Sequence, residues 1–322
     1  MSDGKVDVIQ TVPMPAFAAD RLAELFTVHH PWQADDADRF YGDVRDKVRG
    51  VATSGPGPLD RAFMDKLPKL EIIANFAVGV DAVDLDAARE KKIIVTNTPD
   101  VLTDCVADFA MGMVIAVMRR VAEGDRYVRA GRWATKGDLT LATSLRGKTL
   151  GIIGLGRIGK AVARRAEAFG MTIAYHGRNP QADVDYAYHA APAALAAASD
   201  CLALTCPGGP GTYHLVDAAV LRALGPKSFL VNAARGSVVH EAALIEALTD
   251  GVIAGAALDV FDREPLPEDS PLWELDNVIL TPHISGGNEN YNEVATSIFC
   301  DNLRRYLAGE ELHNIIDPDR GY

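Results

Sequence analysis

The hexapeptide Gly154-Leu155-Gly156-Arg157-Ile158-Gly159 follows directly on the apolar run Thr149-Leu150-Gly151-Ile152-Ile153. That order predicts a strand, a tight glycine turn and the opening of a helix. The second glycine has no side chain to block the approach of an anion. The helix start offers backbone N–H groups that have no partner within the helix. A glycine pattern of this spacing is weak evidence alone. Between a strand and a helix it points to the pyrophosphate of a dinucleotide. The alternative reading is an ordinary glycine-rich βα turn.

The surrounding pattern supports such a fold. Apolar runs at 149–153, 171–175, 201–205, 228–231, 253–258 and 277–280 predict strands. Helices are expected at about 158–168, 191–197, 217–223 and 241–248. Several strands are apolar throughout, as in a parallel sheet covered on both faces. The first hundred residues alternate in the same way. Strands are expected at 6–9, 48–53, 70–75 and 93–95, with a helix at 18–25 and a turn at Gly55-Pro56-Gly57-Pro58. This reads as a small α/β unit of its own. Pro99 then ends the extended segment. Residues 101–120 read as one long linking helix capped by Thr98 or Asp100, and Trp133 falls in a Gly/Thr-rich loop. Residues 291–308 form another amphipathic helix, with Val294, Ile298, Leu303 and Leu307 near one face.

At 322 residues the chain accommodates two domains. Its 48% apolar and 24% charged residues exclude a disordered chain. The net charge of −12 without a basic tract argues against nucleic acid or anionic membrane as a partner. The apolar stretch 109–118 is too short to span a bilayer, and no signal peptide is visible. Cys105, Cys201, Cys206 and Cys300 show no paired spacing, which fits reduced thiols in the cytoplasm. The scattered histidines give no metal cluster.

The second predicted strand ends in Tyr175-His176-Gly177-Arg178-Asn179-Pro180. An acidic residue there would accept hydrogen bonds from an adenosine ribose, and none is present. Arg178 instead supplies a fixed positive charge and several donors for a phosphate on the ribose 2′ oxygen. NADPH is therefore expected over NADH, with weaker contacts from His176 and Asn179. Arg157 lies either near the pyrophosphate or in solvent.

Ligands in this fold class bind outside the carboxyl ends of the strands. Three such ends carry polar residues: Arg235 after 228–231, Asp259 and Glu264 after 253–258, and His283 after 277–280. The set suits reduction of a 2-oxo acid, which builds negative charge on the carbonyl oxygen and consumes a proton. A histidine, with an intrinsic pKa of about 6.5, donates that proton and takes it back in the reverse direction. Glu264 would orient the imidazole, and Arg235 would hold the substrate carboxylate and polarise the oxo group. Asp259 would accept from the nicotinamide carboxamide or support Arg235.

The chain resembles the D-isomer-specific 2-hydroxyacid dehydrogenase family. The resemblance rests on 75–84 (NFAVGVDAVD), 95–108 (VTNTPDVLTDCVAD), 145–159 (LRGKTLGIIGLGRIG), 231–238 (VNAARGSV), 255–265 (GAALDVFDREP) and 281–286 (TPHISG). It implies two Rossmann-like α/β domains with parallel sheets. A cofactor domain at 101–291 is inserted into a discontinuous substrate domain made of 1–100 and 292–322. It assigns catalysis to Arg235, Glu264 and His283. The backbone at Val78 and Gly79 would bind the substrate carboxylate, with Leu102 also facing substrate. The implied cofactor contacts are Thr103, Gly154, Leu155, Gly156, Arg157, Ile158, Gly159, His176, Arg178, Asn179, Cys206, Pro207, Ala233, Ala234, Arg235, Asp259, His283, Ser285 and Gly286. The family also implies a homodimer through the cofactor domain, with Trp133 near the contact or a neighbouring site.

Within the family, 175–180 (YHGRNP) resembles NADPH-preferring glyoxylate/hydroxypyruvate reductases, which form glycolate and D-glycerate. Asp100, where glycine is common, and Ser285-Gly286-Gly287-Asn288 depart from the family pattern at the substrate end. Phenylpyruvate, pyruvate or a keto sugar acid therefore stay open as substrates. NADH stays open as cofactor. A dinucleotide-sensing corepressor is the alternative of another class, and the intact Arg/Glu/His set argues against it.

Overall fold

The computed structural model describes residues 5–54, 59–287 and 291–317. The expected turn Gly55-Pro56-Gly57-Pro58 and residue Asn288 lie outside them. The chain divides into two units, one formed by Met1–Leu102 with Asn288–Tyr322, the other by Thr103–Gly287.

The first unit carries β1 (Asp7–Gln10), α1 (Ala16–Leu25), β2 (Thr27–His29), α2 (Ala37–Val44), β3 (Gly50–Thr53), α3 (Arg61–Asp65), β4 (Ile72–Asn75), α4 (Leu85–Lys91) and β5 (Ile94–Thr96). The second carries α5 (Thr103–Met118), α6 (Val121–Arg129), α7 (Arg132–Lys136), β6 (Thr149–Ile153), α8 (Arg157–Ala168), β7 (Thr172–His176), β8 (Ala187–Tyr188), α9 (Pro192–Ala197), β9 (Cys201–Leu204), α10 (Ala218–Leu224), β10 (Phe229–Asn232), α11 (Glu241–Thr249), β11 (Gly255–Leu258) and β12 (Val278–Leu280). The chain then returns to the first unit with α12 (Tyr291–Ala308).

Both sheets are wholly parallel. The first runs β2-β1-β3-β4-β5. Ile9, Val51, Ile73 and Val95 stand in one register row and belong to one core. Their neighbours Val8, Ala52, Ile72 and Ala74 point the other way, into a second core with Leu22, Phe299 and Leu303. This period of two, apolar on both faces, is why these strands read as continuous hydrophobic runs.

The second sheet runs β12-β11-β10-β9-β6-β7-β8. Read from β6, the order reverses between β6 and β9, the switch point where such sheets bind dinucleotides. A large core joins β9, β10 and β11 to α10 and α11. Both units are thus Rossmann-like parallel α/β folds. No helix among the described residues is long and apolar enough to cross a membrane.

Several expectations need correction. The single helix expected over 101–120 is shorter at both ends: α5 spans Thr103–Met118, and Arg120 adopts a left-handed conformation (φ 56°) before α6. The Met118 carbonyl accepts from the Thr143 N–H at 3.0 Å instead of continuing the helical ladder. The Arg120 guanidinium turns to Glu123. Asp100 is also left-handed (φ 67°), and the buried Thr98 hydroxyl has no hydrogen-bond partner, so it caps nothing. Trp133 lies in the short helix α7, not in a loop. The buried stripe of α12 is Ala295, Phe299, Cys300 and Leu303, while Val294 is exposed.

Candidate active site

The glycine turn joins β6 to α8, and its three glycines are bare for different reasons. Gly154 has φ 96°, and a Cβ there would stand 2.6 Å from the backbone N and Cα of Cys206. A Cβ on Gly159 would meet the Gly154 carbonyl oxygen at 2.3 Å. Both are required by the chain's own packing. A Cβ on Gly156 would meet no protein atom within 4 Å. Gly156 is also the N-cap of α8 and offers the helix no side-chain acceptor. Asp36, Asp60, Asp84, Asp217 and His240 cap α2, α3, α4, α10 and α11, whereas α8, like α1, α6, α7 and α9, has no side-chain cap. With open space at Gly156 and no side-chain cap, the residues present at the opening of α8 fit a dinucleotide pyrophosphate.

The turn is braced from two sides. Thr205 Oγ1 donates to the Gly154 carbonyl at 2.8 Å. Gln181 Nε2 donates to the Leu155 carbonyl at 2.7 Å, and the Gln181 N–H donates to the Tyr175 hydroxyl at 2.7 Å. This ties the 177–181 loop to the glycine turn. Arg178 and Asn179 are exposed on that loop, and His176 Nδ1 lies 2.9 Å from the His189 carbonyl. Asp183, the first acidic residue after β7, is paired with Lys160 at 2.5 Å.

At the carboxyl ends of β10, β11 and β12 the polar residues converge. His283 Nδ1 lies 2.7 Å from Glu264 Oε2, and the other carboxylate oxygen, Oε1, accepts from the Phe261 N–H at 3.0 Å. The hydrogen bond to Glu264 raises the His283 pKa above its ordinary value, partly offset by burial. Burial works against the Glu264 carboxylate. Its bonds to His283 and the Phe261 N–H, with the charge of Arg235, still bring its pKa below the usual value. Arg235 is close enough for its charge to act on both partners. Gly236 makes that possible: a Cβ there would stand 1.8 Å from the Phe261 carbonyl oxygen, so the Arg235 loop lies directly on the Glu264 loop.

Asp259 organises the histidine turn. It is fully buried, yet its carboxylate accepts from Thr281 Oγ1 at 2.7 Å and from the Ile284 and Ser285 N–H groups at 2.9 Å each. The His283 N–H donates to the Asp259 carbonyl at 2.8 Å. These bonds hold His283 at φ 53°, a left-handed conformation uncommon outside glycine. Clamping this turn is a role the sequence does not suggest for Asp259.

A model described as "D-isomer specific 2-hydroxyacid dehydrogenase, NAD binding domain" matches residues 111–285. This chain belongs to the D-isomer specific 2-hydroxyacid dehydrogenase family. The dehydrogenase is 42% identical over 308 residues to hydroxyphenylpyruvate reductase of Plectranthus scutellarioides, covering 95% of this chain and 97% of that one. It is equally similar, 42% over 308 residues with the same coverage, to glyoxylate/hydroxypyruvate reductase A of Arabidopsis thaliana. Among solved structures it superimposes on the NADPH-dependent glyoxylate/hydroxypyruvate reductase of Sinorhizobium meliloti in complex with NADP and malonate. The TM-score is 0.90 and the identity 41%, with 98% of each chain covered.

The other sequence-derived residues of the dehydrogenase fall in both units. Ile158 lies in the first turn of α8, and Arg157 is exposed there. Cys206 and Pro207 follow β9, Ala233 and Ala234 follow β10, and Ser285 and Gly286 follow His283. Thr103 opens α5, whereas Val78, Gly79 and Leu102 belong to the first unit. Burial pushes the Cys206 and Cys300 thiols up to about 12 and raises that of Cys201 as well, so these three are not thiolate nucleophiles. Gln181, Thr205 and Thr281 were not legible as site residues, because each acts through a backbone carbonyl or carboxylate brought near only by the fold.

Proposed function

We propose that this dehydrogenase uses NADPH to reduce small 2-oxo acids, glyoxylate to glycolate and hydroxypyruvate to D-glycerate. The observation that carries the reading is the His283–Glu264 pair with Arg235 beside it, on the same sheet edge as the glycine turn. Residues 103–287 serve as the cofactor domain, and the other unit serves as the substrate domain.

Bound NADPH supplies a hydride to the substrate carbonyl carbon. The chain supplies the rest. His283 keeps Nδ1–H on Glu264 Oε2, so Nε2–H is the proton it gives to the carbonyl oxygen. Glu264 holds the ring orientation and favours the charged imidazolium. Arg235 binds the substrate carboxylate and stabilises negative charge developing on the oxo group. Gly156 and the opening of α8 hold the pyrophosphate. Arg178 holds the 2′-phosphate, aided by the loop that Gln181 fixes.

The relatives support this reading: one is a glyoxylate/hydroxypyruvate reductase at 42% identity, and another is an NADPH-dependent one at 41%. The equal identity to hydroxyphenylpyruvate reductase favours aromatic 2-oxo acids as a second reading. We place the enzyme in the cytoplasm as a homodimer joined through the cofactor domain. Val121, Val128, Trp133 and Leu141 are exposed apolar side chains on and after α6 and α7, suited to that contact. Initial rates with a panel of 2-oxo acids and both reduced cofactors test the function. Higher kcat/KM for hydroxypyruvate or glyoxylate than for phenylpyruvate, with NADPH over NADH, is expected. The reverse order of substrates would establish the second reading.

A further inference from the structure

The short segment from Arg235 to Glu241 meets the Glu264 loop at three points. Arg235 acts on Glu264 through its charge. Gly236 lies against the Phe261–Asp262 peptide: a Cβ there would stand 1.8 Å from the Phe261 carbonyl oxygen and 2.4 Å from the Asp262 nitrogen. At the third point Glu241 Oε2 accepts from the Asp262 N–H at 3.0 Å. Glu241 is the first residue of α11, yet the cap of that helix is its neighbour, His240, whose Nδ1 accepts from the Ala243 N–H at 3.2 Å. The segment is itself pinned to the strand-end loop after β9. The Ser237 and Val238 carbonyls accept from the N–H groups of His214 and Val216 at 2.8 and 3.0 Å, and the Val216 carbonyl accepts from the His240 N–H at 3.0 Å.

The Glu264 loop needs such an anchor. Phe261 is buried in one core with Val238, Leu244 and Leu258, but Asp262, Arg263 and Glu264 are exposed. The bond from the Phe261 N–H to Glu264 Oε1 closes the loop on itself. It fixes the carboxylate relative to the loop and does not fix the loop relative to its surroundings. The bond to Glu241 comes from another element, 21 residues away in the chain. Its acceptor is charged, which makes it stronger than a bond between neutral groups.

We propose that Glu241 is a positioning residue that holds the Asp262 N–H and so keeps the Glu264 carboxylate on the His283 ring. The inference rests on the proposed 2-oxo acid reductase function and adds to it a residue that touches neither substrate nor cofactor. The charged groups acting on His283 are Glu264, Arg235 and Asp259, and those acting on Glu264 are His283 and Arg235. Loosening the Glu264 loop weakens the hydrogen bond that raises the His283 pKa, so the titration midpoint moves back towards about 6.5. It also lets the ring leave the geometry in which it gives up its proton, and kcat falls.

The test compares Glu241→Asp and Glu241→Gln with the wild-type enzyme. The aspartate keeps a negative charge at the start of α11 but draws it back by one methylene, out of reach of the Asp262 N–H. The glutamine keeps the reach and an accepting oxygen and gives up the charge. Two quantities are read: kcat with hydroxypyruvate and NADPH, and the titration of His283 by NMR in the substrate-free enzyme, its signal assigned by loss in His283→Ala. Glu241→Asp is expected to lower kcat by about tenfold and to lower the midpoint of His283. Glu241→Gln should keep the wild-type midpoint, with kcat within about threefold. Wild-type values in Glu241→Asp, an equal or greater loss in Glu241→Gln, or failure of either variant to fold would overturn the proposal. A wild-type enzyme inactive on every 2-oxo acid, with the midpoint still lowered in Glu241→Asp, would instead overturn the function on which it rests.

Discussion

His283 Nδ1 and Glu264 Oε2 stand 2.7 Å apart, and each holds the other in its charged form. The raised pKa of His283 keeps the proton-donating imidazolium at higher pH than a free histidine would. In the reduction direction kcat/KM should therefore fall only as pH rises through that raised value. Glu264→Gln removes the charge and lets the midpoint fall back towards about 6.5. The variant should lose more activity at pH 8 than at pH 6, read from kcat/KM profiles. An unshifted midpoint would remove Glu264 from the proton relay.

The same pair sets a window of stability. A raised histidine pKa contributes stability that is full below the unfolded value and lost as pH rises through the folded one. A lowered carboxylate pKa contributes stability that is present above the unfolded value and lost as pH falls through the folded one. The Tm difference between wild type and Glu264→Gln should thus be largest between about pH 4.3 and 6.5 and shrink on both sides. Melting curves across pH 3–9 check this, and a difference independent of pH would contradict it.

The three turn glycines should separate by substitution. Gly154→Ala and Gly159→Ala collide with backbone and should destabilise the fold, by about 1–3 kcal/mol or more. Gly156→Ala meets no protein atom, so it should melt like wild type yet bind NADPH at least about tenfold more weakly. Thermal melts and fluorescence titrations on the three variants decide it. Wild-type affinity in Gly156→Ala would place the pyrophosphate elsewhere.

Arg178 should set cofactor choice. Arg178→Ala is expected to raise KM for NADPH by about tenfold and leave KM for NADH within about twofold. Equal losses with both cofactors would show that the residue does not read the 2′-phosphate.

Much of the second unit was legible because its strands are buried on both faces and read as unbroken apolar runs. The polar residues that follow β10, β11 and β12 stood out against those runs. The short edge strands β2 and β8 were not legible: Thr27–His29 and Ala187–Tyr188 are too brief and too exposed to show a period. The face of α12 was misread because a buried Asn302, which accepts from the His313 N–H, interrupts its apolar stripe. The break at Arg120 depends on the Met118 carbonyl meeting Thr143, a contact across 25 residues that no local pattern announces. The clamp by Asp259 was hidden for the same reason. Its partners lie 22 to 26 residues away.

That clamp makes its own prediction. Asp259→Ala leaves the Ile284 N–H and the buried Ser285 N–H without their acceptor, at a cost of about 1–3 kcal/mol. It also frees the left-handed turn at His283. The variant should melt lower and lose kcat more than tenfold, about as orientation effects allow. A lower Tm with unchanged kcat would confine Asp259 to stability.

The central claim is that the imidazole of His283 gives its proton to the substrate carbonyl. Single-turnover oxidation of prebound NADPH by hydroxypyruvate, in wild type and His283→Ala, tests it most directly. The account predicts a rate lower by about a hundredfold or more, with the NADPH dissociation constant within about twofold of wild type. A variant that oxidises NADPH at the wild-type rate would contradict it.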